Sequence, residues 1–273
     1  MTVPVDDPTD PRLADFVDLA DPVSRRRLER DELFVVEGVT AIERLLTSGH
    51  RIRSVLVTAP ALARFAGRLD HLTAPVYVAP KAVLAATVGF DLHRGAVAAA
   101  DRRPLRSIAE AVAGAERIAV LEGLNDPENL GAIARSARAF GIAALVLDPT
   151  CIDPYYRRTV RVSMGEVLML PVARSADWPG DLAALARTGF DTWALTPDAA
   201  AEPLGTIPIP PRVAIVLGAE GPGLTAAALG ASTRQVRIPI RADVDSLNVG
   251  HAAAVAFAAV CGITTAPPAA PPG

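Results

Sequence analysis

Ile215-Val216-Leu217-Gly218-Ala219-Glu220-Gly221-Pro222-Gly223-Leu224 is an apolar run that breaks into three glycines spaced around one carboxylate. An apolar run of this length reads as a buried strand, and glycines at its end let backbone N–H and C=O groups approach a ligand directly. The spacing is not G-x-G-x-x-G, and no βαβ unit of the matching form follows, which argues against a dinucleotide-binding oxidoreductase. Taken alone, the stretch reads better as a tight turn carrying a solvated glutamate. The segments on either side decide between the two.

Upstream, Asn125-Asp126-Pro127-Glu128-Asn129-Leu130-Gly131-Ala132-Ile133-Ala134-Arg135 follows a strand and opens a helix, with Asn129 where an N-cap is favoured. At about 100° per residue, Leu130, Ile133, Ala134, Ala137 and Phe140 form a buried stripe, and Gly131, Arg135 and Arg138 fall opposite it. Arg135 then stands one turn beyond a glycine that leaves room for a ligand, and the free N–H groups of a helix start attract anions. Downstream, Ile238-Pro239-Ile240 gives way to a polar loop ending in Ser246-Leu247-Asn248-Val249. Either Ser246 or Asn248 is placed to cap a last helix from about Val249 to Cys261. The small residues Ala252 to Ala256, set around Val249, Phe257 and Val260, suit close helix contact, within the fold or across a dimer.

In this order and spacing the segments resemble the three signature motifs of the SpoU/TrmH family of SPOUT RNA 2′-O-ribose methyltransferases. The first match is Asn129-x-Gly131-x-x-x-Arg135, the second Leu217-Gly218-x-Glu220-Gly221-x-Gly223, the third Ile238-Pro239-Ile240 with Ser246-Leu247-Asn248-Val249. Arg161-Val162-Ser163-Met164-Gly165 is similar to the family's R-x-S-x-G segment. The resemblance spans roughly Arg117 to Ile263 and departs at Ala242, where glycine is usual, and at Gly250, where serine is commoner.

The resemblance implies an α/β fold: a C-terminal parallel-sheet SPOUT domain with a deep trefoil knot, a rare exception to unknotted topology. It implies S-adenosylmethionine as cofactor, cradled by Leu217, Gly218, Gly221, Ile238 and Leu247. It places Arg135, Asn129, Glu220, Asn248 and Ser246 at the catalytic centre, and Arg161 and Arg138 against RNA, with Arg157 and Arg158 as weaker candidates. In the family the arginine matched by Arg135 is often given the role of base. A guanidinium is hard to deprotonate, so an electrostatic clamp on the developing alkoxide fits its chemistry better. The partners implied are RNA (23S rRNA first, tRNA second) and a second copy of the chain. A catalytically silent RNA-binding or ribosome-assembly protein of the same fold is the reading from another class.

The first half alternates strands at Leu33–Val36, Ile52–Val57, Val76–Val78 and Gly95–Ala100 with helical patterns, a small α/β sandwich. Through Phe34-Val35-Val36-Glu37-Gly38 and His93-Arg94-Gly95 it is similar to the family's ribosomal-protein-like substrate-binding domain. The expected division is a flexible arm at 1–22, an RNA-binding domain at 23–100, a linker at 101–114, the SPOUT domain at 115–263 and a disordered tail at 264–273. The basic run Ser24 to Arg30 is either a solvated helix face or an RNA contact. Strands in the second half are expected at Ile118–Leu121, Ala144–Leu147, Val167–Leu170, Phe190–Leu195, Val213–Leu217 and Val236–Ile238.

Bulk composition bounds the rest. A chain of 273 residues holds two ordinary domains. Its charge of −3 argues against a general polyanion binder but leaves room for a local basic patch. Lys81 is the sole lysine; the other cations are guanidinium groups, suited to phosphate and base contacts. The acidic, Pro-rich start is unlike a signal peptide, and no apolar run reaches the ~20 residues of a membrane span, so a soluble cytoplasmic protein is expected. Cys151 and Cys261 have neither metal-type nor disulfide spacing, and the four histidines do not form a metal pattern, so no metal is expected.

Overall fold

The computed structural model describes residues 2–21, 33–92 and 94–262. The basic run at 24–30, His93 and the tail at 264–273 lie outside the described residues. The chain divides into two compact units, Met1–Pro104 with Asp153–Met169, and Leu105–Ile152 with Leu170–Gly273.

The first unit is a five-stranded sheet in the order β1-β4-β3-β5-β2, formed by β1 (Thr2–Pro4), β2 (Leu33–Glu37), β3 (Ile52–Val57), β4 (Val76–Val78) and β5 (Ala96–Asp101). β1, β4 and β3 run parallel, and β5 is antiparallel to β3 and β2. Its helices are α1 (Val39–Thr47), α2 (Ala59–Arg64) and α3 (Lys81–Val88). The expected flexible arm is instead part of this unit. Thr2–Pro4 pairs with β4, and a 3-10 turn at Pro11–Phe16, capped by Asp10, buries Leu13 and Phe16 completely. Leu13, Phe16 and Leu19 recur every third residue and join the core cluster of Leu33, Leu56, Leu84 and Val88. Burying each such side chain contributes about 1.5–3 kcal/mol, enough to order a short segment.

A second correction concerns Asp153–Met169, expected in the SPOUT domain but packed in the first unit. Its short helix Arg157–Val162 ties to β2 through Arg157, whose Nη1 lies 2.9 Å from Glu37 Oε2. Tyr155 stacks on Phe34 with ring centroids 4.9 Å apart, and Arg44 pairs with Glu166 at 2.6 Å. Gly165, at φ +85°, lies so close to α1 that an added Cβ would sit 3.0 Å from the Cα and O of Ala41. The left-handed turn there is why the strand expected at Val167–Leu170 is absent. The chain winds into a 3-10 turn at Glu166–Met169, and the strand begins only after Pro171.

The second unit is a seven-stranded, wholly parallel sheet in the order β10-β12-β9-β11-β6-β7-β8. The strands are β6 (Arg117–Leu121), β7 (Ala144–Leu147), β8 (Val172–Arg174), β9 (Asp191–Leu195), β10 (Glu202–Pro203), β11 (Val213–Leu217) and β12 (Arg234–Arg237). The helices are α4 (Ile108–Ala111), α5 (Pro127–Phe140), α6 (Gly180–Arg187), α7 (Ala226–Ala231) and α8 (Val249–Cys261). The central strands are buried on both faces, as their unbroken apolar runs require. The expected linker at 101–114 is partly structured: Asp101 ends β5, and Ser107 with Glu110 makes a capping box for α4.

The chain lays β6, β7 and β8 outward in one direction, then returns so that β11 slots between β9 and β6. Such a reversal opens a crevice beyond the carboxyl ends of the strands, where α/β proteins bind ligands. Among the described residues no helix is long and apolar enough to cross a membrane.

Candidate functional site

A cavity of about 430 Å³ lies at that switch point. Leu195 and Thr196 leave β9, Leu217 to Gly221 leave β11, Ile238 and Ile240 leave β12, and Ser246 to Val249 lead into α8. The five expected cofactor residues, Leu217, Gly218, Gly221, Ile238 and Leu247, therefore all line one pocket. Gly218 permits no side chain: an added Cβ would fall 2.3 Å from the carbonyl carbon of Gly223, because the loop folds back on itself. Ile240 and Leu247 stay exposed, so the cavity presents an apolar lining beside polar groups of Thr196, Glu220, Ser246 and Asn248, a mixture typical of small-molecule sites.

Asn248 joins the three motifs. Its Nδ2 donates to Asn129 Oδ1 at 3.0 Å and to Glu220 Oε1, while its Oδ1 accepts from Gly250 N at 2.9 Å and His251 N at 3.3 Å. One amide thus caps α8 and holds the first turn of α5 and the loop after β11 at the start of that helix. Of the two candidate caps, Asn248 is the cap, and Ser246 lines the cavity instead. Gly250 brings α8 close to α5, since an added Cβ would lie 3.2 Å from Ala132 Cβ.

Two expectations for α5 are corrected. Asp126, not Asn129, is its N-cap, accepting from Glu128 N at 2.8 Å; Pro127, which has no N–H to satisfy, takes the first helical position. Asn129 is then buried in the first turn, free to turn its oxygen to Asn248. Gly131, expected on the open side, is buried, because α8 packs across α5.

Arg135 is exposed and does not line the cavity; among the described residues it makes no hydrogen bond or ion pair. Arg138 is also exposed on α5. Arg161 lies in the first unit, half-exposed, with Nη1 3.9 Å from Glu37 Oε1. Ser163 is buried and donates to Val160 O at 3.0 Å, so it serves packing and not a ligand. Arg157 and Arg158 line a separate cleft of the first unit with Phe34 and Tyr155. Sequence reasoning missed Glu122, Asp126, Leu195 and Thr196; an acidic residue directly after the apolar run Ile118–Leu121 was the available sign for Glu122.

Cys151 is no nucleophile. Burial, and then Asp148 beside it, push its thiol up to about 12, and its Sγ donates to Leu121 O at 3.3 Å. Among the described residues no group of three or more His, Cys, Asp or Glu is arranged to hold a metal.

Fold and site together define a parallel α/β protein with a small-molecule cavity knitted together by three loops. The sequence profile of the SpoU rRNA methylase family matches residues 116–258. A tRNA/rRNA methyltransferase of Mycobacterium tuberculosis is 46% identical over 92% of this chain and 88% of its own. A 23S rRNA (guanosine(2553)-2′-O)-methyltransferase of Bacillus subtilis is 31% identical over 54% of this chain and 58% of its own. Among solved structures, an RNA 2′-O ribose methyltransferase superposes with a TM-score of 0.77 at 30% identity, covering 94% of this chain and 98% of that one. An AdoMet-bound rRNA methyltransferase of Sinorhizobium meliloti superposes at 0.78, covering 95% and 97%; at 24% identity it speaks to the fold alone. The chain belongs to the SpoU rRNA methylase family of RNA methyltransferases.

Proposed function

We propose that the protein transfers a methyl group from S-adenosylmethionine to a ribose 2′-hydroxyl of structured RNA, 23S rRNA before tRNA. The observation that carries this is the Asn248 junction, which ties Asn129 of the first matched motif to Glu220 and Asn248 of the second and third, beside the cavity that those two motifs line. The residues present fit the cofactor: apolar side chains of Leu217, Ile238 and Leu247 offer a face for an adenine, and the loop Gly218–Gly223 offers main-chain groups for its polar edge. Bound there, S-adenosylmethionine supplies an electrophilic methyl on a sulfonium.

The chain's own residues have three tasks. Main chain at Leu217, Gly218, Gly221, Ile238 and Leu247 binds the donor. Asn129, Glu220 and Asn248, with Ser246 beside them, hold the loops and orient the ribose. A neutral hydroxyl is a poor nucleophile, so the alkoxide that forms as its proton leaves for phosphate or water must be stabilised. Among the described residues Arg135 has no hydrogen-bond or ion-pair partner, which leaves its guanidinium for that oxygen and the neighbouring phosphate. Arg161 and Arg138 contact RNA phosphates, and the first unit is the RNA-binding domain.

Two further features belong to this reading. The C-terminal segment is threaded as a deep trefoil knot, an expectation supported by β11 lying between β9 and β6 while the later helix α8 packs on α5. The protein pairs as a homodimer, supported by Val255, 44% exposed on the alanine-rich face of α8. Light scattering on the wild type and on Val255→Glu tests the pairing.

The experiment for the activity is transfer of labelled methyl from S-adenosylmethionine to rRNA and to tRNA, with the product mapped by its resistance to alkaline cleavage at the modified ribose. Label on a ribose of 23S rRNA is expected. Label on tRNA would move the substrate, label on a base would overturn the 2′-hydroxyl assignment, and donor binding without transfer to any RNA would favour the silent reading.

A further inference from the structure

Glu122 follows β6 directly and is 4% exposed, yet neither of its carboxyl oxygens is left without a donor. Oε2 accepts from Thr225 N at 2.8 Å, and Oε1 accepts from Thr225 Oγ1 at 2.8 Å and from Trp178 Nε1 at 2.6 Å. Its backbone N donates to Leu217 O at 2.9 Å, extending the β6–β11 ladder by one bond. Leu217 and Thr225 are the two ends of the loop Gly218–Leu224, which supplies one wall of the cofactor cavity. A single residue just past the end of the neighbouring strand therefore grips both ends. The next residue, Gly123, lets the loop pass close by, since a Cβ built on it would lie 3.3 Å from Ala219 Cβ.

The loop needs such an anchor. Among the described residues its own internal support is slight: a bridge between Ala219 and Gly223, with Gly223 N donating to Ala219 O at 3.0 Å. Three glycines in seven residues carry a large conformational entropy when the ends are loose. Thr225 is also the N-cap of α7, accepting from Ala228 N at 3.2 Å, so fixing it fixes the start of that helix too.

We propose that Glu122 is a positioning residue for the methyl-donor pocket, holding the loop Gly218–Leu224 in its binding shape by clamping Leu217 and Thr225. The proposal rests on the reading of that cavity as the S-adenosylmethionine site. Glu122 touches neither donor nor RNA; it acts through the loop.

Glu122→Gln tests it, because the amide matches the shape but turns one acceptor into a donor. Hydrogen exchange of the full-length protein without cofactor should show the amides of Gly221, Gly223, Leu224 and Thr225 exchanging at least about tenfold faster, as expected when a hydrogen bond to a buried acid is lost. S-adenosylmethionine should bind about tenfold more weakly by calorimetry, with kcat at saturating donor within about threefold of wild type. Glu122→Asp should recover part of the affinity. Val120→Ala, a cavity in the adjacent strand, is the structural control: it lowers stability and should leave loop exchange and donor affinity alone. If Glu122→Gln does not fold, Thr225→Val removes one of the same bonds and takes its place. Unchanged loop exchange in the variant, or equal weakening by Val120→Ala, would overturn the proposal. Failure of the wild type to bind S-adenosylmethionine would overturn the pocket reading, and loop exchange would still decide the role of Glu122.

Discussion

The Asn248 junction and the Arg161–Gly165 segment were both picked out by resemblance to one family, and the structure treats them differently. At the junction side chains from the first turn of α5, the loop after β11 and the start of α8 meet by hydrogen bonds beside a cavity. In the segment Ser163 and Gly165 are spent on packing within the first unit, and Arg161 is the one charged side chain it turns to solvent. The lesson is about residue type. A buried serine or a left-handed glycine answers a local geometric demand, whereas amides and carboxyls that meet across 119 and 28 residues of chain answer a demand of the site.

The largest effect that would sharpen this contrast belongs to Arg135. Arg135→Lys keeps the charge and removes the planar fork, and kcat is expected to fall by about 10²–10³ with stability unchanged. Methylation near the wild-type rate would remove Arg135 from the alkoxide and the phosphate alike. Next comes Asn248→Asp, which keeps the capping oxygen but replaces the donor that holds Asn129 and Glu220. The helix cap, ordinarily about 1 kcal/mol, should survive, while activity falls by roughly 10–100-fold through two lost bonds and a carboxyl set against Glu220. Asn248→Ala should lose the cap as well, and the difference in thermal midpoint between the two variants measures it.

How much of this could be read from the chain varied with the range of the interaction. Continuous apolar runs placed β6, β7 and β11 because buried parallel strands need no partner to be recognised. β8 was misplaced by a few residues, since Val167, Leu168 and Leu170 are apolar in either conformation and only the left-handed turn at Gly165 excludes a strand. The N-terminal arm was misread because its prolines and aspartates masked the spacing of Leu13, Phe16 and Leu19. Within the site the residues were legible and their geometry was not. Nothing local to Asn248 says that its amide spans to Asn129, and nothing local to Glu122 says that its acceptors wait on Thr225.

A smaller effect probes the packing side of the comparison. Gly165→Ala introduces a Cβ 3.0 Å from the Ala41 backbone at φ +85°, so a loss of about 1–3 kcal/mol in unfolding free energy is expected. Affinity for S-adenosylmethionine, measured on the folded fraction, should not change. A weakened affinity would break the division between packing segment and cofactor junction.

The smallest effect separates two arginines one turn apart. Arg157 is engaged within the fold, with its guanidinium 4.6 Å from the centroid of Phe90 and 2.9 Å from Glu37. Arg161 reaches the same carboxylate only at 3.9 Å and stays half-exposed. A cation held on both sides by protein has little left for a phosphate, whereas one at the edge of an ion pair gives up little to reach it. Arg161→Ala should therefore weaken RNA binding by a few-fold and lower the slope of log K against log salt by about 0.7–1, with donor affinity unchanged. Arg157→Ala should lower the thermal midpoint and leave that slope alone. If both variants keep the wild-type slope, neither arginine meets a phosphate, and RNA contact must be sought elsewhere on the chain.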